Sequence, residues 1–217
     1  MAQSAVVCHT GGRLLGPLYH GCNLSGVTIS DCYQFTLSSD PTKNLEDYSS
    51  SSPRQRTEFL TPSAAAGTSH RYRWSFLLVF HFRIEFTHVA HRSHHSLQPP
   101  VGTSNHFFHL MQLFSRDDGG PIITLDAING AIAIKDNYRD CSQTGCPSIS
   151  LSAFTGKTTI HDVTVKYGSS GSIKYVITDS ATSKVLLSYS ATGKMGGNAS
   201  IKFGTYRLTI SNMQASV

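Results

Sequence analysis

The chain has 217 residues, of which 39% are hydrophobic, so it can form one continuous core. Charged residues make up 14% of the chain, fewer than the ~25% typical of soluble domains. No run of about 18 uncharged apolar residues is present, which excludes a membrane-spanning helix, and the many aromatic and β-branched residues argue against intrinsic disorder. A net charge of +5 favours an anionic partner, either a nucleic acid or an acidic polysaccharide.

The first part of the chain gives little structural signal. Residues 1–30 show no apolar core of a signal peptide, and we treat them as an N-terminal segment of uncertain structure. Further along, Cys141 and Cys146 enclose a short loop that is geometrically able to form a disulfide. Paired cysteines indicate an oxidising compartment, so we expect an extracellular protein, with zinc binding as the alternative. The other cysteines, one of which must stay unpaired, are Cys8, Cys22 and Cys32.

Alternation of apolar and polar residues predicts short strands along most of the chain. In chain order, they are YQFTL at 33–37, RQRTEFL at 54–60, RYRWSFLL at 71–78, NHFFHLMQLFS at 105–115, PIITLDA at 121–127, AIAIKD at 131–136, HDVTVKYG at 161–168, SIKYVITD at 172–179, KVLLSYS at 184–190 and SIKFGTYRLTI at 200–210. No amphipathic helix is predicted. Many short strands separated by Gly, Ser and Asn turns predict a single all-β domain over 1–217, a two-sheet sandwich of the jelly-roll type with a concave cleft.

Residues 79–98 break this pattern. They contain five of the eleven histidines and lack the turn residues that separate the other segments. A metal site is one interpretation, but Glu85 is the only acidic residue there, and we expect no metal ligands. We interpret the segment as an insertion between two strands, with the length of a retained short intron. A transcript without it would confirm this hypothesis, and these histidines would then do no chemistry.

Three of the predicted strands carry polar residues on a face where a core strand would carry apolar ones. Strand by strand, these residues are Arg54, Arg56 and Glu58; Gln112; and Lys202 with Tyr206, which flank Gly204. Glycine within a strand allows close approach to the backbone. Brought together on one concave sheet, these side chains favour a cleft for a sugar acid rather than a core.

The same residues resemble a known family. The motifs R-T-E-F at 56–59, Q-L-F at 112–114 and K-x-G-x-Y at 202–206 are similar to the three signature strands of jelly-roll polysaccharide lyases, the alginate lyases of family 7 and the fungal glucuronan lyases of family 20. The three motifs occur in the family's order. The resemblance covers about residues 33–210.

This resemblance implies β-elimination at a uronic acid of an acidic polysaccharide. Arg56 and Gln112 match the residues that neutralise the sugar carboxylate, and Tyr206 matches the catalytic acid, which often acts as base too. The tyrosine needs nearby cations, for which Lys202 and Arg56 are placed, while Glu58 would orient Arg56. The residues expected to bind substrate are Lys202, Arg54, Glu58 and Arg207.

The chain departs from the family at Phe114, where family 7 has a histidine two residues after the glutamine. His109 is the alternative base, because related lyases have an H-x-x-Q arrangement. In an ideal strand His109 and Gln112 point to opposite faces, so this role requires a β-bulge between them. The other interpretation of His109 is a buried histidine with hydrogen-bond partners.

A second functional class stays open, a lectin-like jelly roll that holds acidic glycans without cleaving them. A glycoside hydrolase is disfavoured because no suitable pair of carboxylates is apparent, and nucleic-acid binding is disfavoured because the basic residues are dispersed. No cofactor is expected, although residues 117–120 are either a structural calcium loop or a solvated turn. We expect a monomer without a membrane partner.

Overall fold

The computed structural model describes residues 18–20, 32–35, 37, 54–78 and 105–208. These residues form twelve strands and two short helices. In chain order they are β1 (Leu18–His20), β2 (Tyr33–Phe35), β3 (Arg54–Leu60), β4 (Ser69–Leu77), β5 (Phe108–Ser115), β6 (Gly120–Ile128), β7 (Ala131–Asp136), α1 (Cys141–Thr144), β8 (Ser148–Ser150), α2 (Leu151–Phe154), β9 (Thr158–Lys166), β10 (Gly171–Asp179), β11 (Val185–Gly193) and β12 (Ala199–Leu208).

The strands form two main antiparallel sheets that pack as a sandwich. One sheet has six strands in the order β3-β12-β5-β6-β7-β8, and the other has four in the order β11-β10-β9-β4, with β1 and β2 as a separate pair. The prediction of an all-β, two-sheet jelly roll is therefore confirmed. The insertion hypothesis for 79–98 falls outside the described residues, as does all of the segment 1–30 except Leu18–His20, and the single domain over 1–217 stays a prediction.

The core lies between the two sheets and follows from the period-two alternation of the strands. On the four-stranded sheet, Val163, Tyr175 and Tyr189 are paired across neighbouring strands and buried. The Trp74 ring of this sheet stacks on the Phe203 ring of the other, with centroids 4.8 Å apart. Since burial of one large apolar side chain contributes about 1.5–3 kcal/mol, this aromatic layer stabilises the sandwich and fixes which face of each sheet points inward.

Among its described strands, the six-stranded sheet has three irregularities in strand register, two of which lie close to His109 and Tyr206. One extra residue of β5 lies opposite β6 between His109 and Met111, and one extra residue of β12 lies opposite β5 between Phe203 and Tyr206. Gly204 lies in the second irregularity with a φ of 142°, and a Cβ there would come within 2.4 Å of the Thr57 carbonyl oxygen. The bulge that a catalytic role for His109 requires is therefore present.

The predicted disulfide between Cys141 and Cys146 is confirmed. It closes over helix α1, whose first turn is capped by the Asp140 side chain and whose last residue is followed by Gly145 in the left-handed conformation. Cys32 is also disulfide-bonded, whereas Cys8 and Cys22 lie outside the described residues. In the described part of the chain, no helix has the length and apolar character needed to span a membrane.

Candidate active site

The polar residues of the three motifs lie together on the outward face of the six-stranded sheet, which we call the polar face. Its members are Arg54, Arg56 and Glu58 on β3, Lys202 and Tyr206 on β12, His109 and Gln112 on β5, and Thr124 and Asp126 on β6. Phe203 and its neighbours point to the other sheet, so the alternation of β12 turns Lys202 and Tyr206 outward. The sequence prediction that these strands share one polar face agrees with this geometry.

Tyr206 is in contact with two guanidinium groups. Its hydroxyl accepts a hydrogen bond of 3.0 Å from Arg54 Nη1, and the Arg56 guanidinium carbon lies 4.2 Å from the centre of its ring. The side chain is 5% exposed. A guanidinium donor directed at a phenol oxygen stabilises negative charge that develops on that oxygen, so the arrangement suits a tyrosine that exchanges a proton.

His109 lies beside Tyr206 and is held by a carboxylate. Its Nδ1 is 2.5 Å from Asp126 Oδ1, its ring stacks on Phe107 at 4.5 Å, and its ring centre is 5.5 Å from that of Tyr206. When Nδ1 carries the proton and donates to Asp126, Nε2 presents a lone pair, which is the form of histidine that acts as a base. Sequence reasoning missed Asp126; the signal was an acidic residue within the otherwise apolar segment PIITLDA.

A buried carboxylate joins the two residues predicted to neutralise the substrate. Glu58 Oε2 is 3.0 Å from Arg56 Nε, and Glu58 Oε1 accepts a 2.6 Å hydrogen bond from Gln112 Nε2. The Glu58 side chain is only 3% exposed, and its burial raises the pKa of this carboxyl, although Arg56 and Lys202 act in the opposite direction. Glu58 therefore orients Arg56 as predicted, and it also occupies the donors that a uronate carboxylate would use.

Lys202 and Phe114 form a second contact on this face. The Lys202 ammonium lies 3.8 Å from the centre of the Phe114 ring, a cation–π distance. Lys202 is paired across the strands with Gln112, so the cation stands next to the glutamine. Phe114 thus provides an aromatic ring that stabilises the Lys202 cation.

Arg207 does not join the polar face, and its assignment to substrate binding is corrected. Its side chain is fully buried on the opposite side of β12, where Nε and Nη2 donate to Gln55 Oε1 at 2.8 and 2.5 Å. Burial lowers the pKa of Arg207 to about 10. Adjacent residues of a strand point to opposite faces, so Tyr206 and Arg207 cannot both line one cleft.

The polar face is reached from its β3 side. β3 is the edge strand of the six-stranded sheet, Arg54 is exposed, and the Arg56 side chain is 27% exposed. By contrast, Gln112 and Asp126 are nearly fully buried. The two arginines therefore form the accessible rim of the site.

The turn at 117–120, weighed above as a calcium loop, has its carboxylates engaged by neighbouring side chains. Asp118 pairs with Lys194, and Asp117 Oδ1 accepts a hydrogen bond of 3.2 Å from Asn198 Nδ2. Gly119 closes the turn with a positive φ of 67°. Across the described residues, no group of three or more His, Cys, Asp or Glu residues is arranged to hold a metal ion.

Comparison with known proteins adds no relative to this picture. No protein-family model, curated protein or solved structure matches the chain. The resemblance to jelly-roll lyases therefore depends on the three strand motifs of the sequence.

Proposed function

We propose that the protein is a polysaccharide lyase that cleaves a uronic-acid polymer by β-elimination. The observation that carries this proposal is the environment of Tyr206, whose hydroxyl accepts from Arg54 while its ring lies next to His109 and under Arg56. A tyrosine, a histidine with a carboxylate partner and two arginines are the groups that proton transfer next to an anionic sugar requires.

The first step of the proposed reaction is neutralisation of the substrate carboxylate. Arg56 and Gln112 already hold a carboxylate, that of Glu58, at 3.0 and 2.6 Å. A uronate that takes over these donors has its negative charge offset, which acidifies the proton on C5. Burial raises the pKa of Glu58, so desolvation disfavours the charged carboxylate that competes with a uronate for Arg56.

The second step is the elimination itself. His109 Nε2 removes the C5 proton, while Asp126 accepts from Nδ1 and stabilises the positive charge that the ring acquires. The C5 electron pair forms the C4=C5 double bond, the bond between C4 and O4 breaks, and O4 takes the proton of the Tyr206 hydroxyl. The residues on the rim, Arg54 and Arg56, favour an acidic polymer over a neutral one.

The compartment and partner follow from the same proposal. The Cys141–Cys146 disulfide supports an extracellular protein, where acidic polysaccharides are accessible as substrates. We retain the proposal of a monomer with no nucleic-acid or membrane partner. No cofactor enters the chemistry, because the proton transfers above use only side chains of the polar face.

A second candidate is a lectin-like protein that binds acidic glycans without cleaving them. Two observations favour it: Phe114 stands where family 7 has a histidine, and Glu58 occupies Arg56 and Gln112. A binding protein of this kind would exchange Glu58 for the glycan carboxylate but would not transfer a proton.

The test is ultraviolet absorbance of the unsaturated uronate product, with glucuronan and alginate as substrates. The wild type should produce a rise in absorbance that Tyr206→Phe abolishes. The matched control is Tyr138→Phe, a tyrosine that is 46% exposed and lies away from the polar face, and it should behave as the wild type. A flat wild-type trace accompanied by measurable binding to the same polymers would reject the lyase proposal and support the lectin-like protein.

A further inference from the structure

The outward face of the four-stranded sheet carries a cluster of positive charge, which we call the basic face. Its four cations, all exposed, are Arg71, Arg73, Lys166 and Lys174. Among the described residues of this face, Asp162 is the only acidic side chain. The cations come from β4, β9 and β10, so the sheet assembles a charged surface that is not visible as a run in the sequence.

Strand pairing defines the layout of this face. Thr164 is paired with Arg71 on one side and with Lys174 on the other, and Lys166 lies two residues further along β9. Neighbouring strands are about 4.8 Å apart and alternate residues of one strand about 6.6 Å, so these cations surround Thr164 at roughly 5–10 Å. A surface with this spacing has a positive potential across the width of three strands.

The one acidic residue neutralises only part of this charge. Asp162 accepts two hydrogen bonds from Arg71, at 2.8 and 2.5 Å, and Arg71 lowers the pKa of the carboxyl. The Arg71 side chain nevertheless remains 67% exposed. The charge of Asp162 offsets that of Arg71, and the face keeps a net positive charge from Arg73, Lys166 and Lys174.

The rest of the basic face is rich in hydroxyl groups. They belong to Ser69, Ser75, Thr164, Ser172, Ser188, Ser190 and Thr192. The aromatic residues of these strands instead point to the core, as Tyr72, Tyr175 and Tyr189 do. Single-stranded nucleic acids are held by stacking on exposed aromatic rings, which the described part of this face does not offer, whereas cations and hydroxyls suit an acidic polymer rich in hydroxyl groups.

We propose that the basic face is a second binding site, for a chain of an anionic polysaccharide. In a two-sheet sandwich, the basic face lies on the opposite side of the molecule from the polar face. The proposed binding site is therefore separate from the proposed site of cleavage. The second site would keep the protein bound to the polysaccharide while the polar face cleaves one polysaccharide chain or releases it for another. This inference does not depend on the lyase proposal, because binding at the basic face requires no turnover.

The test combines Arg73→Gln with Lys174→Gln, two exposed cations outside the Arg71–Asp162 pair. The control combines Lys157→Gln with Lys184→Gln, which removes the same charge from turns beside the sheet. Each pair is introduced into Tyr206→Phe, and binding of long-chain polyglucuronate is measured by calorimetry at low and physiological salt. We expect roughly fivefold weaker binding for the Arg73/Lys174 pair and a change of less than about twofold for the control.

Two results would overturn the proposal. One is equal affinity of the two double variants for the polymer. The other is displacement of the polyuronate by single-stranded DNA at matched charge concentration, together with weaker DNA binding by the Arg73/Lys174 double variant. This result would assign the face to nucleic acid. Failure of the lyase proposal is detected separately, as a flat absorbance trace of the wild type, and leaves these binding results interpretable.

Discussion

Two buried histidines, one on each sheet, differ in their partners. His161 on β9 has both nitrogens engaged by neutral hydroxyls, Nδ1 with Tyr175 at 2.6 Å and Nε2 with Thr159 at 3.0 Å. His109 on β5 has Nδ1 at 2.5 Å from the Asp126 carboxylate. Both rings are stacked on an aromatic neighbour, at 5.0 Å on Trp74 and at 4.5 Å on Phe107.

The comparison shows that two buried histidines with different partners suit different roles. Burial among neutral groups disfavours the charged ring and lowers the pKa of His161 to about 3, so this histidine stays neutral and packs as part of the core. A carboxylate beside the ring instead compensates the charge of a protonated imidazole. The lyase proposal therefore uses His109 for proton transfer, whereas His161 has a structural role.

The largest effect should come from His109→Gln. If His109 is the general base of the proposed reaction, its loss should lower turnover by about 10²–10⁴-fold, because the glutamine amide cannot take up the C5 proton. The measurement is initial rate of product absorbance, with urea unfolding to show that stability changes little. A variant that keeps more than about a third of the wild-type rate would remove His109 from the mechanism and leave Tyr206 as both base and acid.

His161→Ala should show the opposite pattern. Removal of a large buried ring and of its hydrogen bonds to Tyr175 and Thr159 should lower the free energy of unfolding by about 3 kcal/mol. The folded fraction should keep its turnover number. Urea unfolding measures the first effect and activity per folded molecule the second; loss of activity without loss of stability would contradict the assignment of His161 to the core.

The pH dependence of stability should reveal the burial of His161. The pKa of His161 is about 3 when folded and about 6.5 when unfolded, so the unfolded chain binds the extra proton between these values. The contribution of neutral His161 is therefore complete well above pH 6.5 and declines as the pH falls toward 3, with a total loss of about 2 kcal/mol at pH 5. Unfolding curves of the wild type and of His161→Phe across this range check it, since the variant should lack this component.

The smallest effect expected is that of Asp126→Asn. The amide keeps the shape of the side chain but not its negative charge, so His109 loses the group that compensates its protonated form. We expect turnover to fall about tenfold, less than for loss of the base itself. The readout is the pH–rate profile: a shift of its acidic limb supports orientation and charge compensation, whereas an unchanged profile would mean that Asp126 only fills space.

Much of the fold was predictable because period-two alternation reports the buried face of each strand directly. The predicted segment 172–179 lies within β10, and the segment 184–190 overlaps β11 from Val185 onward, although β11 continues to Gly193. The sequence predicts a strand that begins at His161, whereas β9 begins at Thr158, because Thr158 and Thr159 are polar and do not stand out as part of a strand. The short strands β1 and β8 carry too few residues to show a pattern.

The site was predictable only in part, since alternation describes a regular strand. It correctly placed Arg56, Glu58 and Tyr206 on one face but could not show the bulge that turns His109 toward them. Alternation also directs the side chains of Tyr206 and Arg207 to opposite faces, and the assignment of both residues to one site from the motif did not take this into account. Asp126 was missed because its meaning depends on a partner 17 residues away in the chain.

The order of strands in the six-stranded sheet has a consequence for biosynthesis. β12 lies between β3 and β5, yet it is the last of the three in the chain, about 140 residues after β3. During translation β3 and β5 leave the ribosome without the strand that joins them, so Tyr206 meets Arg54 and His109 only when β12 inserts. The activity proposed above therefore requires insertion of β12 and should emerge only late in folding.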